Sequence, residues 1–146
     1  MEALQRQFAT ALFVLSGLGA GLTTRMFIET GNSRLKINPR YSADALGCTY
    51  SFNEDAVKGA GGTSPTLARF NRDAGDAADF TLTQDAVETS PGTPIIQDLS
   101  LGLQTRIQWV QQPFILKPNS TYQFTITNLT AGTLNPSIEI LITQDA

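Results

Sequence analysis

The stretch TYQFTITNL, residues 121–129, alternates without a break: Tyr122, Phe124 and Ile126 fall on one parity and Gln123, Thr125 and Thr127 on the other. Successive side chains of an extended chain point to opposite faces, so this pattern describes a strand with one buried and one polar face. A helix would need its apolar residues three and four apart, and here they are two apart. The segment therefore argues for a β protein.

Downstream, SIEILIT (137–143) repeats the device with Ile138, Ile140 and Ile142, and AGTLNP (131–136) between them has the length of an antiparallel hairpin loop. Upstream, FILK (114–117) precedes a Pro118-Asn119-Ser120 turn, which makes FILK and TYQFTITNL paired or neighbouring strands. In LTTRMFI (22–28), Leu22, Thr24, Met26 and Ile28 share a face, and the TGNS turn follows at 30–33. Next come SRLKI, closed by Asn38 and Pro39, and ALGCTYSF, in which Leu46, Cys48, Tyr50 and Phe52 share a parity.

The middle of the chain is looser. KGAGGTSPT (58–66) reads as a loop, TLARF as a brief strand, ADFTLTQ as a strand and ETSPGTP (88–94) as a turn with Pro91-Gly92 at its tip. IIQDLSLG (95–102) fits either a strand or a single helical turn. RIQWV and PFILK follow, with a proline suited to a strand start or an edge. Strand signals every 8 to 15 residues, separated by turn signals, predict an all-β fold: an antiparallel, jelly-roll-like β-sandwich of eight to nine strands. The division expected is a short N-terminal arm, residues 1–8, and one sandwich domain, residues 9–146.

A chain of 146 residues is long enough for one core that needs neither disulfide nor metal. Only 16% of residues are charged, against a usual level of about 25%, so small polar side chains or contacts must cover much of the surface. The net charge of −3 and the lack of any basic run argue against a nucleic-acid partner, which needs clustered Lys and Arg. With no histidine, the usual general base and every Ser-His or Cys-His pair are missing. Cys48 is the only cysteine and is expected to be a buried, inert thiol. The apolar stretch FATALFVLSGLGAGL (8–22) is too short to cross a bilayer, which takes about 20 apolar residues, so no membrane partner is expected. Glu2 and the glycines at 17, 19 and 21 argue against a signal peptide and for a buried strand over residues 9–15 followed by a turn.

Each candidate site has a plainer reading beside it. In NRDAGDAAD, Asp73, Asp76 and Asp79 recur every three residues, which is not the alternate-position spacing of a calcium loop; a solvated acidic loop fits better than a cation site shared between subunits. GAGGTSP (59–65) lacks the lysine of a phosphate-binding loop. Asp98 and Glu139 are conceivable as a glycosidase pair only if the fold sets them at the right separation. Trp109, the only tryptophan, alternates with Ile107; core or subunit-interface packing is favoured over a glycan platform, with Arg106 and Gln108 on the opposite parity. The N-x-[ST] triplets at Asn119 and Asn128 read as a turn and a strand end rather than as glycan acceptors. No catalytic residue, metal site or cofactor is expected.

FILKPNSTYQFTITNLTAG resembles the carboxy-terminal signature of small tailed-bacteriophage virion proteins: an apolar run, then Lys117, Pro118, Asn119, Ser120, Thr121 and Tyr122, then an alternating strand ending in Thr127, Asn128 and Leu129. FIETGNSRLKINPR and RFNRDAGDAADFTLTQDAVETSPGTPI also resemble that family, with Asp73 where it has a second asparagine. The resemblance implies a non-enzymatic capsid decoration, or cement, protein on the outer surface of the head. It would bind the major capsid protein, form a homotrimer and bridge neighbouring capsid subunits. Under that expectation Leu4 and Phe8 of the arm, and Trp109, are the interface candidates. The alternatives are a head-fibre base or tail-associated module with a glycan site on its aromatics, and a secreted or cell-surface β-sandwich module.

Overall fold

The structure, a computed structural model, describes residues 6–12, 18–41, 47–65, 68–69, 78–100, 108–109, 113–134, 136 and 138–144. These contain thirteen strand segments and no helix: β1 (Arg6–Leu12), β2 (Thr23–Thr30), β3 (Leu35–Tyr41), β4 (Cys48–Glu54), β5 (Val57–Lys58), β6 (Ala68–Arg69), β7 (Phe80–Gln84), β8 (Glu88–Ser90), β9 (Thr93–Ser100), β10 (Gln108–Trp109), β11 (Phe114–Leu116), β12 (Thr121–Asn128) and β13 (Ile138–Gln144). Eight of them are five residues or longer, in line with the eight to nine strands expected.

All pairings are antiparallel. One sheet runs β10-β3-β13-β1-β6, with β11 also on β3; the second runs β7-β2-β12-β4-β9; β5 and β8 form a separate two-stranded ribbon. The early strands pair with the late ones in reverse order: β1 with β13, β2 with β12, β3 with β11 and β10, β4 with β9. This is one long ribbon, rolled so that successive strand pairs fall in alternate sheets and sealed by β13 against β3 and β12 against β4. The fold is a jelly-roll β-sandwich.

Two expected hairpins are corrected by this order. β12 and β13 lie in different sheets, and so do β11 and β12. The loops at 131–136 and 118–120 are corners between sheets, because alternation fixes which face a strand buries and not which strand lies beside it.

The core is the space between the sheets. Leu35, Ile37, Leu116, Ile138, Ile140 and Ile142 come from one side, and Met26, Ile28, Cys48, Tyr50, Phe52, Leu82, Tyr122, Phe124 and Ile126 from the other. Phe52 is at its centre, stacked on Phe124 at 4.3 Å and on Tyr122 at 5.7 Å, and edge-on to Phe114 of the opposite sheet at 5.1 Å. Such ring pairs add about 0.5–1.5 kcal/mol each beyond area burial. Cys48 is buried, and burial raises its pKa above the usual thiol value, as expected of an inert thiol.

Three other boundaries move. β3 runs on through Asn38 and Pro39 to Tyr41. Pro39 is tolerated because β11 ends its pairing at Ile37 and β10 begins at Arg40, so on that side no partner requires the missing N–H. Residues 95–100 are strand, not a helical turn. β1 opens at Arg6, so the last three residues of the expected arm are strand, with Phe8 opposite Ile142 and Arg69.

Residues 55–92 leave β4 and return as β9, and part of this excursion folds over the outer face of the five-stranded sheet. Phe27, on the outer parity of β2, is fully buried there against Ala56 and Ala86. Gln123 of β12, also on the outer parity, is fully buried and donates from Nε2 to Glu88 Oε2 at 2.6 Å. On the same face Thr23, Arg25, Ser51, Thr125 and Thr127 keep at least partial exposure.

Candidate functional site

The residues of LKPNSTY build one corner of the roll. Pro118 and Asn119 (φ +52°) have the proline and positive φ that a type II turn places at its second and third positions. Asn119 N–H donates to Gly31 O at 2.8 Å, Thr30 N–H donates to Ser120 O at 2.8 Å, and Thr30 Oγ1 donates to Lys117 O at 2.6 Å. This corner is thereby laced to the neighbouring one between β2 and β3. Beneath it Tyr122, 2% exposed, accepts the Lys117 N–H on its hydroxyl at 2.9 Å and donates to Glu54 Oε1 at 3.3 Å. Lys117 Nζ meets the same carboxylate oxygen at 2.7 Å. The lysine hydrogen bond holds the Glu54 carboxyl below its usual pKa, Glu54 raises Lys117 in return, and burial raises Tyr122.

Asn128 closes the other end of β12. It is fully buried, and its amide donates to Leu18 O and Gly132 O at 2.8 Å each while Oδ1 accepts from Thr130 N–H at 2.8 Å and Thr130 Oγ1 at 2.7 Å. Both amide protons and both oxygen lone pairs are used, so this triplet is a structural clasp. Asn119, by contrast, is exposed at its turn.

The remaining candidates separate. Asp73 and Asp76 lie outside the described residues. Asp79 accepts Ser33 N–H on Oδ2 at 2.7 Å and Gly31 N–H on its carbonyl at 2.9 Å, and donates its own N–H to Gln144 Oε1 at 2.7 Å. Among the described residues no group of three or more His, Cys, Asp or Glu is placed to hold a metal. In the glycine loop, Gly59 N–H goes to Val87 O at 2.6 Å, and Thr63 exchanges both bonds with Gln84 at 2.9 and 2.7 Å, so these donors hold the loop down. Asp98 and Glu139 belong to different sheets. Leu4 lies outside the described residues. Trp109 pairs with Arg40, itself opposite the exposed Glu139, whereas Gln108 pairs with Tyr41, itself opposite the buried Ile138.

A feature no motif announced is a groove of about 340 Å³ on the open part of the five-stranded sheet's outer face. Thr23 and Arg25 of β2, Thr125 of β12 and Ser51 and Asn53 of β4 form its floor, and Glu88, Pro91, Gly92 and Pro94 its wall. The register puts Arg25, Thr125 and Ser51 in one row across three strands. Arg25 Nε is 3.8 Å from Glu88 Oε2, close enough to pair charges and too far for a hydrogen bond. Arg25 Nε and Asn53 Oδ1 are buried without a hydrogen-bond partner, while Asn53 Nδ2 donates to Pro91 O at 2.8 Å. The polar parity of each strand was visible in the sequence; which strands lie side by side was not.

Comparison of the chain with protein-family models, with curated proteins and with solved structures finds no significant match.

Proposed function

We propose that the chain is a non-enzymatic virion structural protein of the capsid decoration type, binding the outer surface of a bacteriophage head as a homotrimer and bridging major capsid subunits. The observation that carries this reading is the use of the motif on which the family resemblance rests. Lys117, Pro118, Asn119, Ser120 and Tyr122 lace two corners together, and Asn128 clasps a third loop. These residues serve rigidity, which suits a protein whose work is done by its surfaces. A clip that binds only the assembled shell stabilises it by mass action, RT ln(1 + [L]/Kd) per site, repeated over many sites.

The outer face of the six-stranded sheet is the surface proposed for contact. Ile115 is 63% exposed there, opposite Lys36, and Trp109 belongs to β10 at the edge of the same sheet. β1, which follows residues 1–5 in sequence, belongs to that same sheet. The test is solution mass together with binding to purified heads that lack the protein. A stable trimer that saturates the heads and raises their melting temperature is expected; a monomer at high concentration that leaves heads bare would remove the reading.

A further inference from the structure

We propose that the groove over β2, β12 and β4 binds a short neutral glycan, taking its hydroxyl groups on Arg25, Asn53 and Thr125 and seating a ring face against Pro91 and Pro94. Its volume of about 340 Å³ is at the small end of ligand pockets, room for one or two sugar rings. The floor is the face of a sheet whose backbone groups are consumed by the β2·β12·β4 ladder. A peptide strand would find no main-chain partners there, so recognition falls to side chains. Those side chains mix donors and acceptors at close quarters, which suits hydroxyls, each of them both donor and acceptor.

Charge selects the ligand further. Arg25 is the cation of the groove and already has Glu88 beside it at 3.8 Å, while Glu88 also receives the Gln123 amide at 2.6 Å. The local charges cancel, so a phosphate or carboxylate gains little and a neutral polyhydroxylated ligand loses nothing. Arg25 Nε and Asn53 Oδ1 supply the second argument. Four buried polar side-chain atoms lack a protein partner among the described residues, and Gln123 Oε1 and Gln144 Nε2 are outside the groove, whereas Arg25 Nε and Asn53 Oδ1 place a donor and an acceptor together in its lining. A small turn of either side chain toward an incoming hydroxyl gains a hydrogen bond that the free protein lacks. The inference does not rest on the decoration reading, and head binding can fail or succeed independently of it.

The experiment titrates ¹⁵N-labelled full-length protein with glucose, galactose and N-acetylglucosamine, and in separate arms with inorganic phosphate and N-acetylneuraminic acid. Expected are saturable amide shifts confined to residues 23–25, 51–53, 91–94 and 125 with at least one neutral sugar, unchanged by added salt. Thr125→Val, which keeps side-chain shape, should weaken that binding about tenfold with the rest of the spectrum intact, and Asn53→Ala should do likewise. No saturable shift with any neutral sugar, shifts elsewhere on the molecule, an unaffected Thr125→Val variant, or preferential binding of either anion would each overturn the proposal.

Discussion

Tyr122 accepts the backbone N–H of Lys117, five residues earlier, at 2.9 Å, and so ties the entry of β12 to the corner that feeds it. The same hydroxyl reaches Glu54 at 3.3 Å. Tyr122→Phe keeps the ring in its stack with Phe52 and strands a part-buried N–H. A loss of about 1–2 kcal/mol in urea unfolding, with the m-value unchanged, is expected. A fall in m would instead mean that the native state itself had loosened.

The Lys117–Glu54 pair gives a pH signature with a defined sign. Glu54 is lowered in the folded state, so its contribution is complete above the ordinary carboxylate pKa of about 4.3 and is lost as pH falls through the lowered value. Lys117 and Tyr122 are raised, so their contributions are present below about pH 10 and are lost as pH rises through the raised values. Urea midpoints for the natural chain and Glu54→Gln should differ most near neutrality and converge in acid. Parallel curves across that range would show that the pair contributes nothing.

Asn128 should tolerate no replacement. Asn128→Ala removes four hydrogen bonds and leaves the Thr130 N–H without a partner, while Leu18 O keeps the Leu134 N–H and Gly132 O keeps the Thr130 hydroxyl, and a loss of about 2–3 kcal/mol is expected by thermal or urea unfolding. Expressed in a glycosylating host, the folded protein should show an unmodified Asn128 by peptide mass, since both amide protons are engaged.

Gly92 and Gly61 separate two costs of a side chain at positive φ. At Gly92 (φ +75°) a Cβ would collide with the Glu54 carbonyl oxygen, whereas at Gly61 (φ +84°) nothing lies within 4 Å. Gly61→Ala should cost only the left-handed backbone term, about 1–2 kcal/mol, and Gly92→Ala clearly more. Equal losses in calorimetry would show that the turn at Pro91-Gly92 yields freely.

Truncation distinguishes arm from strand. Removing residues 1–5 leaves every β1 pairing with β13 in place, so the melting temperature should hold while head binding falls. Removing residues 1–8 also strips Arg6, Gln7 and Phe8 from Gln144, Thr143 and Ile142, and the melting temperature should drop. Full head binding by the shorter deletion would take the arm out of the interface.

Much of this fold was legible because one face of each strand is buried. The parities of Met26 and Ile28, of Cys48, Tyr50 and Phe52, and of Tyr122, Phe124 and Ile126 all name the core correctly. Adjacency was not legible, since a turn such as Pro118-Asn119 serves a hairpin or a corner equally well. Phe27 and Gln123 sit on the polar parity yet are fully buried, because a distant excursion covers them. The groove was not legible for the same reason: Arg25, Asn53 and Thr125 are 28 and 72 residues apart along the chain and become neighbours only through the register of β12 with β2 and β4.

The rolled ribbon also sets when this chain can fold. β1 and β3 both wait for β13, and β2 and β4 both wait for β12, so the first half holds no complete sheet of its own. Closing loops of this length before any pairing is rewarded makes for slow assembly. During synthesis the unpaired early strands must therefore stay soluble on the ribosome until residues 138–144 have emerged, and a chain stopped short of them is exposed to chaperones and proteases with its edges open.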